Sequence, residues 1–180
     1  MAKSPKSRIN IDLVIRSKKW LTVKNIEKFI NKTCCELILL SEIKAFLRKQ
    51  SNSLELSICL LSNAQIKKIN QQFRNKNKPT DILSFSFLDE KLIRKNGFKK
   101  VVKPMQQLFL GDILLAFEMI SKESIATKKD FHHHLTHLLL HGILHLIGHD
   151  HESLEDAKIM EEIEIKILQK LKISNPYLST

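Results

Sequence analysis

With 180 residues, 43% of them hydrophobic, the chain is sized for one globular domain, and its net charge of +11 points to a polyanionic partner, RNA or DNA first. No apolar run approaches the length of a membrane span, and the basic start MAKSPKSR lacks the apolar stretch of a secretory signal. Cys34, Cys35 and Cys59 have neither disulfide nor zinc-ribbon spacing, which suits free thiols in a reducing compartment, so a cytoplasmic location and no membrane partner are expected.

Residues 1–8 read as a flexible basic tail, 9–173 as a single domain and 174–180 as a C-terminal tail. Ile9, Ile11, Leu13 and Ile15 alternate and predict a strand. Apolar residues near helical spacing from Ile26 to Leu47 predict a helical stretch over 23–48, with a break at Thr33 or Ser41. Leu54 to Leu60 alternates again as a second strand. A short helix over 64–73 is capped by Ser62 or Asn63. DILSFSF, residues 81–87, is a third strand. Residues 91–104 carry Lys91, Arg94, Lys95, Lys99, Lys100 and Lys103 with no acidic residue among them, and are read as a basic loop. A fourth strand with Gly111 and Asp112 inside it spans 108–117 and runs into a helix over 117–126. A further helix covers 129–147, and Ser153 caps a final amphipathic helix whose apolar stripe includes Ile159, Met160, Ile163, Ile167, Leu168 and Leu171. The class is α+β: one domain, a small mixed sheet of about four strands, and helices packed with it.

All eight histidines fall between His132 and His151. Within them HGILHLIGHDH has the form H-x-x-x-H-x-x-G-x-x-H. One helical turn separates His141 from His145, a rise of about 6 Å, so both imidazoles can reach one ion. Gly148 lets the chain leave the helix in a left-handed conformation and bring His151 back toward the pair. Three imidazoles leave a coordination position open, the arrangement of a catalytic zinc site, and one Zn2+ per chain is expected. Spacing does not choose among zinc, copper, iron and nickel. His132 to His134 also read as a solvated helix start. His137, one turn before His141, as well as Asp150 and Asp112, are candidates to orient a ligand or touch substrate.

The histidine and glycine spacing is similar to the metzincin protease signature, but Gly142 stands where those proteases carry the glutamate that serves as general base. A metalloprotease is therefore the least favoured reading. His141 to His151 resembles the H-G-x-L-H-L-x-G-x-D-H signature of the YbeY family of bacterial rRNA maturation factors. INQQFRNKNKPTDILSF (residues 69–85) resembles the family's N-x-x-[YF]-R-x-x-x-x-P-T-D-V-L-S-F block, and LGDILLA (110–116) its G-D-I-x-[IL] strand. The likeness spans about 54–171. It implies zinc on His141, His145 and His151, and a catalytic or substrate-binding role for Arg74. His149 occupies a variable aromatic-or-histidine position. The implied activity is that of a single-strand-specific metallo-endoribonuclease acting at the 3′ end of 16S rRNA, in ribosome maturation and quality control. The implied partners are ribosomal RNA, the small subunit and its proteins, and a ribosome-assembly GTPase. The alternative is an RNA-binding assembly factor whose zinc is structural. A guanidinium fork suits phosphate oxygens, and a zinc ion can polarise them or lower the pKa of water to roughly 7.

Overall fold

Strand alternation in the sequence becomes a sheet with one face on the main core and the other partly covered by a smaller cluster. The computed structural model describes residues 8–48, 52–103 and 105–178. Residues 1–7 of the expected N-terminal tail and 179–180 of the C-terminal one lie outside these; Arg8, which closes the former, donates hydrogen bonds to the carbonyls of Leu47 and Asn52. The strands are β1 (Ile9–Ile15), β2 (Ser53–Leu61), β3 (Ile82–Ser86) and β4 (Gln107–Ala116). They are ordered β1-β2-β4-β3; β1, β2 and β4 run parallel, and β3 closes the edge antiparallel to β4. The class is α+β, a single domain with a four-strand mixed sheet and, among the described residues, eight α-helices.

Leu54, Leu56, Ile58 and Leu60 of β2, with Leu108, Leu110, Ile113 and Leu115 of β4, point into the main core. Strict alternation cannot put both Leu110 and Ile113 on that face. The register between β2 and β4 shifts after Glu55, and the extra residue is absorbed at Gly111, whose φ is 137°. A Cβ there would lie 2.1 Å from the Phe85 carbonyl oxygen.

The helical stretch expected over 23–48 is divided. Trp20 is buried in a short 3-10 helix (Lys18–Thr22), followed by α1 (Ile26–Leu40) and α2 (Ile43–Leu47). The break falls at Ser41, whose hydroxyl donates to Ile38 O and accepts from Ile43 N. Trp20 donates from Nε1 to Leu61 O at 3.0 Å, and its ring meets those of Phe117 and Phe131. It thereby fixes the starts of α6 (Phe117–Ala126) and α7 (Phe131–Leu146). On the opposite face α3 (Asn63–Arg74) covers a smaller cluster of Leu61, Ile66, Leu83, Leu114 and Ala116. Ser62 and Gln65 form a capping box at its start.

The basic loop expected over 91–104 is instead two short helices, α4 (Glu90–Asn96) and α5 (Phe98–Val101). Asp89 caps the first, and Gly97 at φ 79° turns the chain between them. Ile93, Phe98 and Val102 are buried, so local apolar contacts override the charge-rich composition. The last helix, α8 (Leu154–Lys170), is capped by Ser153 as expected. Its buried residues are Met160, Glu164, Ile167 and Leu168, whereas Ile159 is exposed.

Candidate metal centre and cleft

Asp130 starts the histidine-rich helix α7 by accepting from His133 N at 3.0 Å. Ten buried residues of α7 anchor it to the sheet and its neighbours. Its closest approach is at Gly142, where a Cβ would lie 2.9 Å from Ile113 Cδ1, 3.0 Å from Ile82 Cδ1 and 3.1 Å from Ser84 Oγ. The absence of a side chain lets α7 sit flush on β3 and β4, and leaves no carboxylate at the position that metzincins use as base.

Helix α7 ends with Gly148 N donating to His145 O and His149 N to Leu144 O, at 2.9 and 3.1 Å. Gly148 has φ 93°, and a Cβ on it would lie 2.5 Å from Ile93 Cγ2 of α4. The reversal swings His151 over the helix face. Ring centroids are 4.5 Å apart for His141 and His145, 5.4 Å for His141 and His151, and 5.0 Å for His145 and His151. One ligand atom from each lies within 4.8 Å of the others, and among the described residues no other histidine, cysteine or acidic side chain joins this group. His149 turns aside to Glu42, 3.3 Å away, so it is not a fourth member.

The tautomer of His141 follows from its partner. Its Nδ1 is 2.9 Å from Glu164 Oε1, and Glu164 is fully buried. An ionised carboxylate accepts only, so Nδ1 carries a proton and Nε2 is the nitrogen turned toward the cluster. That Nε2 is 3.0 Å from Nε2 of His145. Burial first, then the charges of His141 and His151, push the His145 pKa down to about 4. A divalent cation takes imidazole nitrogens that converge in this way once they are deprotonated.

Glu164 also takes hydrogen bonds from His137 Nε2 at 3.0 Å and from the Tyr177 hydroxyl. Burial acts to raise its pKa, but the hydrogen bonds from His137, His141 and Tyr177 outweigh it and hold it down to about 2. Burial, with the neighbouring carboxylate, pushes the Tyr177 hydroxyl above its ordinary value. Lys129 Nζ donates to Pro176 O at 2.7 Å and ties the segment carrying Tyr177 back toward the start of α7.

Around the cluster lies a cleft of about 690 Å³, walled by Arg74, the β3 edge, His134, His137, Arg94 and Tyr177. Arg74, the last residue of α3, is exposed and forms no hydrogen bond or ion pair among the described residues. The structure thus brings Arg74, His137, His141, His145 and His151 to one cleft. Asp150 lines it too, but its carboxylate accepts from His151 N at 2.8 Å and faces Arg94 at 2.5 Å, rather than orienting an imidazole. Asp112 pairs with Phe85 across β3 and β4. It therefore shares the sheet face opposite Ile113, away from α7. Among the first three histidines, His132 packs edge-on to Phe29, His133 is exposed, and His134 contacts Glu123 at 3.3 Å.

Sequence reasoning missed Glu164 and Tyr177. A signal for Glu164 exists: it falls four residues after Met160 and three before Ile167, on the apolar stripe of α8 rather than its acidic face.

The family model described as "Endoribonuclease YbeY" matches residues 15–172. The chain belongs to the endoribonuclease YbeY family. A relative of that name from Bartonella bacilliformis is 43% identical over 169 residues, 94% of this chain and 97% of its own. One from Bartonella henselae is 38% identical over the same shares. One from Chelativorans sp. is 43% identical over 122 residues, 68% of this chain and 69% of its own. A solution structure from Thermotoga maritima superposes with a TM-score of 0.47 at 21% identity over 93% of this chain and 99% of its own. Family membership makes the chain a nuclease of the endoribonuclease class, and the histidine group is consistent with a metal-binding member.

Proposed function

We propose that the protein is a zinc-dependent, single-strand-specific endoribonuclease that matures the 3′ end of 16S rRNA and takes part in ribosome quality control. The observation that carries this reading is the Arg74 guanidinium, without a hydrogen bond or ion pair among the described residues, lining the same cleft as three converging imidazoles. His141, His145 and His151 would hold the ion, with one side left to the cleft. A bound zinc ion supplies Lewis-acid stabilisation of phosphoryl charge and a lowered pKa for water.

The remaining chemistry belongs to the chain. Arg74 binds the phosphate oxygens as a planar, always-charged fork and stabilises charge that grows in the transition state. Glu164 keeps His141 in one tautomer and one orientation. His137 stands in the cleft outside the ligand group, bonded to the same carboxylate, and is placed to carry a proton. On this reading the protein works in the cytoplasm, with ribosomal RNA, the small subunit and its proteins, and a ribosome-assembly GTPase as partners. No described helix is long and apolar enough to cross a membrane.

The test pairs metal analysis with cleavage of a single-stranded RNA by the wild type, Arg74→Ala and His145→Ala, purified identically. The expected outcome is one zinc per wild-type chain. Arg74→Ala keeps its metal but loses about 10²- to 10³-fold in rate. His145→Ala loses both. Equal trace cleavage in all three samples would point to a contaminating nuclease and to an assembly factor with a structural metal.

A further inference from the structure

Helices α4 and α5 form an amphipathic plate whose exposed side is rich in lysine and arginine. Ile93, Phe98 and Val102 face inward at 3%, 3% and 2% exposure. Lys91, Arg94, Lys95, Lys99, Lys100 and Lys103 face outward. From Lys91 to Lys103 the sequence holds no acidic residue, and none of the five lysines makes a hydrogen bond or ion pair among the described residues.

The plate is joined to the metal turn at two points. Ile93 packs on Gly148, where only a glycine leaves room for it. Arg94 bridges to Asp150 at 2.5 Å and to Glu152 at 4.0 Å, and so forms part of the cleft wall. The plate therefore abuts the wall of the site where the phosphodiester would lie.

We infer that α4 and α5 form a track for the phosphate backbone of single-stranded RNA, engaging the strand beyond the nucleotides held in the cleft. This rests on the nuclease reading above. Clustered like charges repel one another, and a polyanion threading past them relieves that repulsion while releasing its own counterions. Holding the lysine stems on helices with a buried apolar side lowers the ordering cost of each contact. An acidic protein would satisfy the charge equally well, but the plate borders the Arg74 and histidine cleft through Arg94, and that cleft suits a phosphodiester.

The test compares wild type with the triple variant K95Q/K99Q/K100Q, all three sites exposed and outside the cleft lining. Two single-stranded RNAs serve as probes, one of about 4 nucleotides and one of about 16, the range over which one binding domain is spanned. Affinity for the longer strand should fall about tenfold or more near 0.1 M salt. The slope of log affinity against log salt should shrink by about 2, since each phosphate contact on a single strand contributes about 0.7. Turnover of the shorter strand should be unchanged. Unaltered affinity and slope on the longer strand, with cleavage still abolished by His145→Ala, would remove the track and leave the nuclease intact. A zinc-loaded wild type that neither binds nor cuts either strand would overturn both. Polyaspartate that displaces the long RNA from wild type as effectively, charge for charge, would assign the surface to an acidic protein and overturn the RNA track.

Discussion

A fully buried carboxylate beside two imidazoles must be ionised and satisfied, or protonated and weak as an acceptor. Glu164 is the first kind, with three donors directed at its two oxygens. Replacing it with glutamine keeps the shape but removes the charge and turns an N–H toward a ring N–H. Glu164→Gln should therefore weaken zinc binding by about 10- to 100-fold in a chelator competition, with the fold retained. Tyr177→Phe removes one of the three donors and should weaken zinc binding less than Glu164→Gln does; affinity equal to wild type would make the tyrosine only a cover. The three clustered histidines were legible because their spacing is dictated by one helical turn and one glycine. Glu164 stands among several acidic residues of its helix, and only its place on the apolar stripe sets it apart. Arg74 carried no signal of its own beyond the motif around it, since nothing in a sequence shows that a guanidinium has no partner.

The elements that place the cleft depend on their ends more than on their middles. Gly148 combines a positive φ with the seat of Ile93. Gly148→Ala should cost about 1–3 kcal/mol in backbone strain alone, measured by chemical denaturation, and should lower zinc occupancy by displacing His151. Ser62→Ala removes the capping box that sets the start of α3 and should cost about 1 kcal/mol with cleavage kinetics unchanged. Strands and caps were legible because alternation and capping chemistry are local. Helices α4 and α5 were not: Ile93, Phe98 and Val102 are split by Gly97, so no single helical stripe forms, and lysines dominate the composition. The bulge at Gly111 was equally hidden, because it shows only when Leu110 and Ile113 are found on one face.

At the scale of the whole molecule, the centre couples stability to acidity and to metal. His145 is depressed from its usual value of 6.5 to about 4 in the folded chain, so the unfolded chain binds more protons between those values. Stability of the metal-free protein should accordingly fall as pH drops from about 6.5 toward 4. Glu164, held at about 2 against a usual 4.5, adds a further loss as pH falls from about 4.5 toward 2. Thermal melts in chelator across this range check both, and a flat profile would contradict them. At neutral pH, stripping a metal held by the three histidines should lower the melting temperature, since ligand binding to the folded state alone stabilises it.

The flush contact at Gly142 has a reach beyond local packing. A glutamate introduced there would meet two isoleucine methyls and a serine hydroxyl of the sheet before it could approach a water molecule. Turning this scaffold into a peptide-cutting enzyme therefore takes more than one codon; the layers would have to part first. Two kinds of hydrolase can share a histidine spacing and still be separated by the thickness of one side chain.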